Sequence, residues 1–262
     1  MKKFAFWVAT HQKICSITTW LLWIAASVLY LHIGISPWIV WPVSCVFLFL
    51  FLMIIASAPM AYMKDAVEAF NFHCDPYPLI QSCEELLSRK LSEQAQLNIN
   101  GTYCNALIEA GEFEKALINL QSVNIENSPS THHYIKILHY GALYECSNYL
   151  GQDEQAENYY QKILSLYAEM KNDSLKKQFT PAYNDYVCSY YLARGNFEEA
   201  EKMLSQLSDQ TYSVRVSNRL KAAKIHLHNG QTELAAEDLQ FVIQNGNKMY
   251  FVSEAKALLE TL

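Results

Sequence analysis

Two hydrophobic patterns divide the chain close to residue 64. From Ile14 to Met63 there is no Asp, Glu, Lys or Arg, and the apolar residues leave no polar face. Beyond that stretch, apolar residues recur at the three- and four-residue intervals that are typical of amphipathic helices. The pattern therefore predicts an all-α protein with an apolar front part and an amphipathic helical rear part.

The rear part repeats one sequence pattern four times. Each copy has a glycine, an alanine five residues later, a large apolar residue nine residues later and another twelve residues later. The glycines are Gly111, Gly151, Gly195 and Gly230, and the alanines are Ala116, Ala156, Ala200 and Ala235. A glycine ends one helix, and a small residue allows a neighbouring helix to approach closely. We therefore expect antiparallel helix pairs that pack one after another.

The pattern also predicts where these helices lie. The expected pairs are Glu93–Ala110 with Glu112–Val123, Thr131–Leu150 with Asp153–Met170, Lys177–Arg194 with Phe197–Leu207, and Thr211–Asn229 with Thr232–Asn245. A last helix, Lys248–Leu262, is expected to cap the array. Two connecting helices precede the pairs, Ala61–His73 and Pro76–Leu91, the second capped by Asp75.

The quoted glycine, alanine and apolar positions resemble the tetratricopeptide repeat over residues 92–262. The glycines are 40, 44 and 35 residues apart, whereas the family has a period of about 34. Phe113 and Phe197 supply the aromatic residue that follows the family's glycine by two positions, but Asp153 and Thr232 replace it in the other copies. The resemblance implies a TPR-like α-solenoid of antiparallel helix pairs.

The front part predicts a transmembrane hairpin over residues 14–63. Ile14–Ile33 and Trp38–Met60 are each long enough to cross a bilayer, which takes about 20 apolar residues, and Gly34 and Pro37 form the turn between them. A cleaved signal peptide is the alternative for the first run, but that run is longer than a usual signal core and the second follows almost at once. A buried soluble hairpin would need a polar face.

The basic residues of the front part predict its orientation. Residues 1–64 hold four Lys and no acid, so the remainder holds 20 − 4 = 16 basic and 26 acidic residues. Lys2, Lys3 and Lys13 precede the first run and Lys64 follows the second, so the positive-inside rule places residues 1–13 and 64–262 in the cytoplasm. We expect an integral protein of the cell membrane, with connecting helices over residues 64–91. Seven cysteines without paired spacing fit a reducing compartment.

Motifs for catalysis and metal binding are absent from the sequence. It contains no phosphate-binding loop, dinucleotide fingerprint or nucleophile elbow. His226 and His228 point apart on a helix, and His132, His133 and His139 lack the spacing of a metal site. We expect no enzymatic activity, catalytic residue, cofactor, metal or nucleic-acid partner.

A groove along the first helix of each pair is the candidate binding site, because those helices line the concave face of a helical-repeat solenoid. The residues predicted to face it most directly are Asn105, Asn148, Tyr149, Tyr186, Ser189, Lys221 and Lys224. The same register includes Asn98, Thr102, Glu145, Asp185 and His228. We expect an extended peptide there, acidic at the end that meets Lys221 and Lys224, since the rest of this part is negative.

Three functions remain open from the sequence. The first is a membrane-anchored scaffold that binds a partner protein or peptide on the cytoplasmic face. The second is an enzyme or sensor whose repeats are only scaffolding and which binds a small ligand or signalling peptide. It would need a concave pocket with convergent polar groups. The third is an accessory subunit of a membrane transport or secretion assembly, with the hairpin packed on other spans.

Overall fold

The protein is all-helical throughout the part that the computed structural model describes, residues 2–34, 36–125 and 133–262, and this part contains no β-strand. The described part contains thirteen helices: α1 (Lys2–Thr10), α2 (Gln12–His32), α3 (Pro37–His73), α4 (Tyr77–Leu87), α5 (Glu93–Glu109), α6 (Phe113–Gln121), α7 (His133–Tyr149), α8 (Asp153–Glu169), α9 (Asp173–Ala193), α10 (Phe197–Leu204), α11 (Tyr212–His228), α12 (Thr232–Asn245) and α13 (Phe251–Leu259). The predicted all-α class is confirmed. The predicted start of a helix at Thr131 lies outside the described residues.

The chain forms two compact units. The first consists of Met1–Asp65 and Gln81–Ile99, and the second of Ala66–Ile80 and Asn100–Leu262. Helices α3, α4 and α5 each contribute residues to both units.

The first unit contains α2 and the apolar part of α3. Both α2 and α3 are long and apolar enough to cross a membrane. Their large side chains face outward: Trp38 is 89% exposed and Leu22 is 66% exposed. Such exposure is costly in water but suits contact with hydrocarbon. Helix α3 continues through Pro59 to His73, as the predicted helix beyond the second apolar run requires.

The second unit places the repeat residues as their pattern predicts. All four repeat glycines have positive φ, between +67° and +80°, where a side chain would be strained. The four repeat alanines are at most 2% exposed. Ala200, for example, packs with Cys188 and Ile225, and the Cys188 thiol donates to the Ala200 carbonyl at 3.4 Å. Within this unit each of the pairs α7–α8, α9–α10 and α11–α12 packs together.

Capping side chains account for two of the helix starts. Asn172 accepts a hydrogen bond from the Leu175 amide at 3.0 Å, so α9 begins four residues before the predicted Lys177. Thr211 accepts from the Val214 amide at 3.3 Å and begins α11 as predicted.

The second unit closes on itself through a short segment before α13. The Asn247 side-chain amide donates to the His73 carbonyl at 2.7 Å, and the Lys248 ammonium meets the Asp75 carboxylate at 2.6 Å. The Tyr250 amide donates to the Glu109 carbonyl at 2.9 Å. Because the segment from residue 247 to 250 makes these contacts, α13 begins at Phe251 rather than at the predicted Lys248.

Candidate binding cavity

Polar side chains from α5, α7, α9 and α11 meet inside the second unit. They line two cavities of about 330 Å³ and about 280 Å³. The larger lies beside the connection from α10 to α11, and the smaller lies beside the start of α13. Glu109, Glu145 and Asp185 line both cavities, so we treat the two as one central cavity.

All seven of the predicted groove residues line this central cavity. Asn105 and Tyr186 line its larger part. The other five line its smaller part: Asn148, Tyr149, Ser189, Lys221 and Lys224. The register explains the convergence, because Asn105, Glu145, Ser189 and Lys224 each precede a repeat glycine by six residues. His228, which belongs to the same predicted register, does not line the cavity among the described residues. It stacks instead on Phe197, with ring centroids 4.0 Å apart.

Both lysines of the cavity are already paired with carboxylates. Lys221, whose side chain is 13% exposed, forms an ion pair with Asp185. Burial by itself lowers the pKa of Lys221, but the attraction of Asp185 outweighs it, so the pKa lies above its ordinary value. Lys224 pairs with Glu254 at 2.6 Å. These pairs remove the reason for expecting an acidic partner, since neither ammonium is left without a counter-charge.

Two further carboxylates in the cavity have no such partner. Within the described residues, Glu109 and Glu145 form no side-chain hydrogen bond or ion pair. Each lines the cavity and is only partly exposed. Burial raises the pKa of Glu109 to about 7. Burial, followed by repulsion from Asp185 and Glu109, raises the pKa of Glu145 to about 8.

Tyrosines form the apolar part of the cavity wall. The Tyr186 ring lies directly against Gly141 of α7, where a Cβ atom would overlap it. Tyr144 is 2% exposed, and its hydroxyl has no hydrogen-bond partner in the described part of the chain. Tyr149 stacks on Phe113, with ring centroids 4.5 Å apart, and its hydroxyl bonds that of Tyr250. The wall therefore combines aromatic faces with an unpaired buried hydroxyl.

The lining residues that were not predicted as groove residues include Glu109, Tyr144, Tyr250 and Glu254. Glu109 precedes its repeat glycine by two residues, as the predicted Tyr149 does, so the same register could have found it. Tyr250 and Glu254 enter the cavity only because the segment before α13 returns to Glu109. Nothing in the periodicity signals that contact.

The cavity wall combines carboxylates with aromatic rings. Within the described residues, no group of three His, Cys, Asp or Glu side chains is placed to hold a metal. His226 instead meets the buried Asp238, Nδ1 to Oδ2 at 3.0 Å, and Arg219 pairs with the same carboxylate. His133 lies 3.7 Å from Glu169, and His132 lies outside the described residues. Aromatic faces and carboxylates together are the usual surroundings of a bound ammonium or guanidinium group.

Comparison with known proteins adds no relative. No protein-family model, no curated protein and no solved structure matches the chain. The tetratricopeptide likeness thus rests on the repeat positions alone.

Proposed function

We propose that this protein is a membrane-anchored, TPR-like α-solenoid that binds a basic segment of a partner protein in its central cavity. One observation carries the proposal: the predicted groove residues of four separate helices converge on one cavity that holds unpaired carboxylates. Convergent polar groups in a concave, otherwise apolar site are the common feature of binding sites.

The membrane anchor would be the hairpin of α2 and α3. Its outward apolar side chains and flanking lysines support insertion with both termini in the cytoplasm. In that orientation residues 65–262, which hold 16 basic and 26 acidic residues and therefore a formal charge of −10, lie on the cytoplasmic face. Their negative charge would attract a basic partner from solution.

The charges in the cavity indicate that the partner segment is positively charged. Glu109, Glu145, Asp185 and Glu254 provide four carboxylates, against the two ammonium groups of Lys221 and Lys224. An incoming Lys or Arg side chain would meet Glu109 and Glu145, which need no existing pair to be broken. Tyr186 and Tyr149 line the same cavity, and aromatic rings attract cations.

Protonation would be coupled to this binding. Because the pKa values of Glu109 and Glu145 are raised to about 7 and about 8, both carboxyls are partly protonated near neutral pH. A bound cation favours the ionised form and therefore lowers these pKa values. Binding would release protons, and the affinity for the cation would rise as the pH rises from 6 to 8.5. Each tenfold gain in affinity equals about 1.4 kcal/mol.

A second candidate, a receptor for a small cationic ligand, is favoured by the size of the cavity. The two parts of the central cavity, of about 330 and about 280 Å³, together fall within the range of about 300–1,000 Å³ that small-molecule sites occupy. That volume admits one or two side chains or a small amine, not the extended peptide expected from the sequence. In both candidates the cation would bind at Glu109 and Glu145.

The test uses the full chain purified in detergent and a panel of short peptides. Each peptide is paired with a copy in which its Lys and Arg residues are replaced by Gln. We expect the parent to bind basic members more tightly, and Glu109→Gln with Glu145→Gln to weaken that binding about tenfold, which equals about 1.4 kcal/mol. Glu201→Gln with Glu233→Gln makes the same charge change at exposed positions and serves as the control.

The outcomes separate the two candidates. Weakening in the cavity variant alone supports the proposal. Tight binding of free alkylamines or guanidines by the parent, with no gain from a peptide around them, would favour the small-ligand receptor. Equal affinity of parent and cavity variant for every basic peptide would rule out the cavity as the site.

A further inference from the structure

The first unit contains its own cavity, separate from the central cavity of the second unit. It has a volume of about 800 Å³ and is lined by α1, the start of α2 and the segment from Arg89 to Ser92. Four cationic side chains line it: Lys3, Lys13, Arg89 and Lys90. No Asp or Glu is among its described lining residues. We call it the basic cavity.

Hydrogen bonds join the segments that form the basic cavity. The Ser92 hydroxyl donates to Gln12 Oε1 at 3.3 Å, and Gln12 Nε2 donates to the Ile55 carbonyl at 3.3 Å. Gln12 therefore links the start of α2 to α3 and to the segment after α4. The Arg89 guanidinium lies 5.9 Å from the centre of the Phe6 ring. The hydrogen-bonded Gln12 and Ser92 side chains thus line the same cavity as the four cations.

The position of the basic cavity along the chain indicates the kind of anion. Lys13 is the last charged residue before the apolar run of α2, and Ile14, which also lines the cavity, is 58% exposed. Once α2 crosses a bilayer, its first residues lie at the level of the lipid headgroups. Phe4 and Trp7 of α1 are 66% and 49% exposed, as aromatic side chains at a membrane interface are.

We infer that the basic cavity binds the phosphate headgroup of an anionic phospholipid of the cytoplasmic leaflet. This inference rests on the membrane insertion proposed above but not on the binding of a partner. Lys3, Lys13, Arg89 and Lys90 would contact the phosphate, and Gln12 and Ser92 would hold the polar groups beside it. The acyl chains would lie along the apolar surface that starts at Ile14. A lipid is favoured over a soluble anion because this apolar surface adjoins the cations directly.

The experiment measures lipid retention by the full chain in detergent, with native mass spectrometry as the readout. Phosphatidylglycerol and phosphatidylcholine are supplied in equal amounts. We expect the parent to retain phosphatidylglycerol about tenfold better, from the attraction of several cations near a surface. Arg89→Gln with Lys90→Gln, two exposed positions, should abolish the preference. Lys171→Gln with Lys177→Gln, equally exposed and in the second unit, should leave it unchanged.

Two further arms identify the source of the phosphate and separate this inference from the proposed anchor. In the first arm, inorganic phosphate is titrated against the parent in phosphatidylcholine alone. The lipid assignment would be overturned if the parent binds phosphate, Arg89→Gln with Lys90→Gln abolishes that binding, and the parent shows no lipid preference. Equal retention of both lipids by the parent would also overturn it. Extraction of membranes with alkaline carbonate tests the anchor independently: release of the chain would reject insertion, whereas retention without a lipid preference rejects only this inference.

Discussion

The ring of Tyr186 on α9 lies against the backbone of Gly141 on α7, at a distance that leaves no room for a Cβ atom. Gly141 is buried in the middle of its helix, where an alanine would otherwise be preferred by about 1 kcal/mol. The glycine therefore makes space for a ring that forms part of the central cavity wall. Burial also raises the pKa of Tyr186 well above its ordinary value, so its hydroxyl stays protonated at physiological pH.

Substitution of Gly141 should disturb the cavity wall. Gly141→Ala would displace the Tyr186 ring, and we expect it to destabilise the full chain by about 1–3 kcal/mol relative to Gly101→Ala, as overpacking does. Gly101 is the matched control, because a Cβ atom there meets nothing within 4 Å. Denaturation of the purified chain in detergent, followed by circular dichroism, measures both. In a Tyr186→Ala background the cost of Gly141→Ala should largely vanish; an unchanged cost would show that the contact does not matter.

The stability of the second unit should depend on pH through Glu109 and Glu145. Their folded-state pKa values, about 7 and about 8, lie above the ordinary value of 4.5. The folded chain thus holds protons that the unfolded chain has already released. The stability that these two groups contribute is fully present below pH 4.5 and is lost as the pH rises through 8. We expect a loss of about 1–3 kcal/mol from both groups together, after allowance for their partial exposure.

Melting temperatures of the parent and of Glu109→Gln with Glu145→Gln, measured between pH 5 and pH 8.5, test this expectation. The variant should lose most of the downward slope, since glutamine does not titrate. Glu201→Gln, at an exposed position, should retain it. A parent whose stability rises with pH over this range would contradict the assignment.

Closure of the second unit should depend on Asn247. This residue has a φ of 48° and donates to the His73 carbonyl at 2.7 Å. Asn247→Ala loses that bond and must also adopt a left-handed conformation, which costs about 1–2 kcal/mol for a residue with a Cβ atom. Asn247→Gly keeps the conformation and should lose only the bond, about 0.5–1.5 kcal/mol.

Chemical denaturation of the full chain compares these two variants with Asn229→Ala, whose position has a φ of −79°. We expect the order Asn247→Ala, Asn247→Gly, Asn229→Ala, from most to least destabilised. If both Asn247 variants match the Asn229 control, the closure contact contributes nothing to stability.

The proposed topology predicts which residues face outward. Ser36, in the turn before α3, should react with a membrane-impermeant maleimide on intact cells once it is changed to cysteine. Lys171→Cys, between α8 and α9, should react only after the cells are opened. Cys15 and Cys45 are replaced beforehand, because the other five cysteines are buried. Labelling of Lys171→Cys on intact cells would contradict the proposed orientation and indicate the opposite one.

The sequence by itself predicted the helices and much of the candidate site. A helix positions its side chains by a local period, so Gly195 and Ala200 sufficed to predict a helix end and a close helix contact at Ala200. The structure supplies the partners of that contact, Cys188 and Ile225. The same period brought Asn105, Ser189 and Lys224 to one cavity, because each occupies the same place before its glycine. The starts of helices were less well predicted, since Asn172 caps α9 through a single hydrogen bond.

Only the tertiary structure decided how the site is charged and closed. Lys248 meets Asp75 across 173 residues of sequence, and Tyr250 reaches Glu109 through one backbone hydrogen bond; no local period encodes contacts at such separations. The pairing of Lys221 with Asp185 and of Lys224 with Glu254 likewise joins different helices. Periodicity predicted which side chains point inward. Their pairing depends on the distances between helices, and those distances leave the carboxyl groups of Glu109 and Glu145 unpaired.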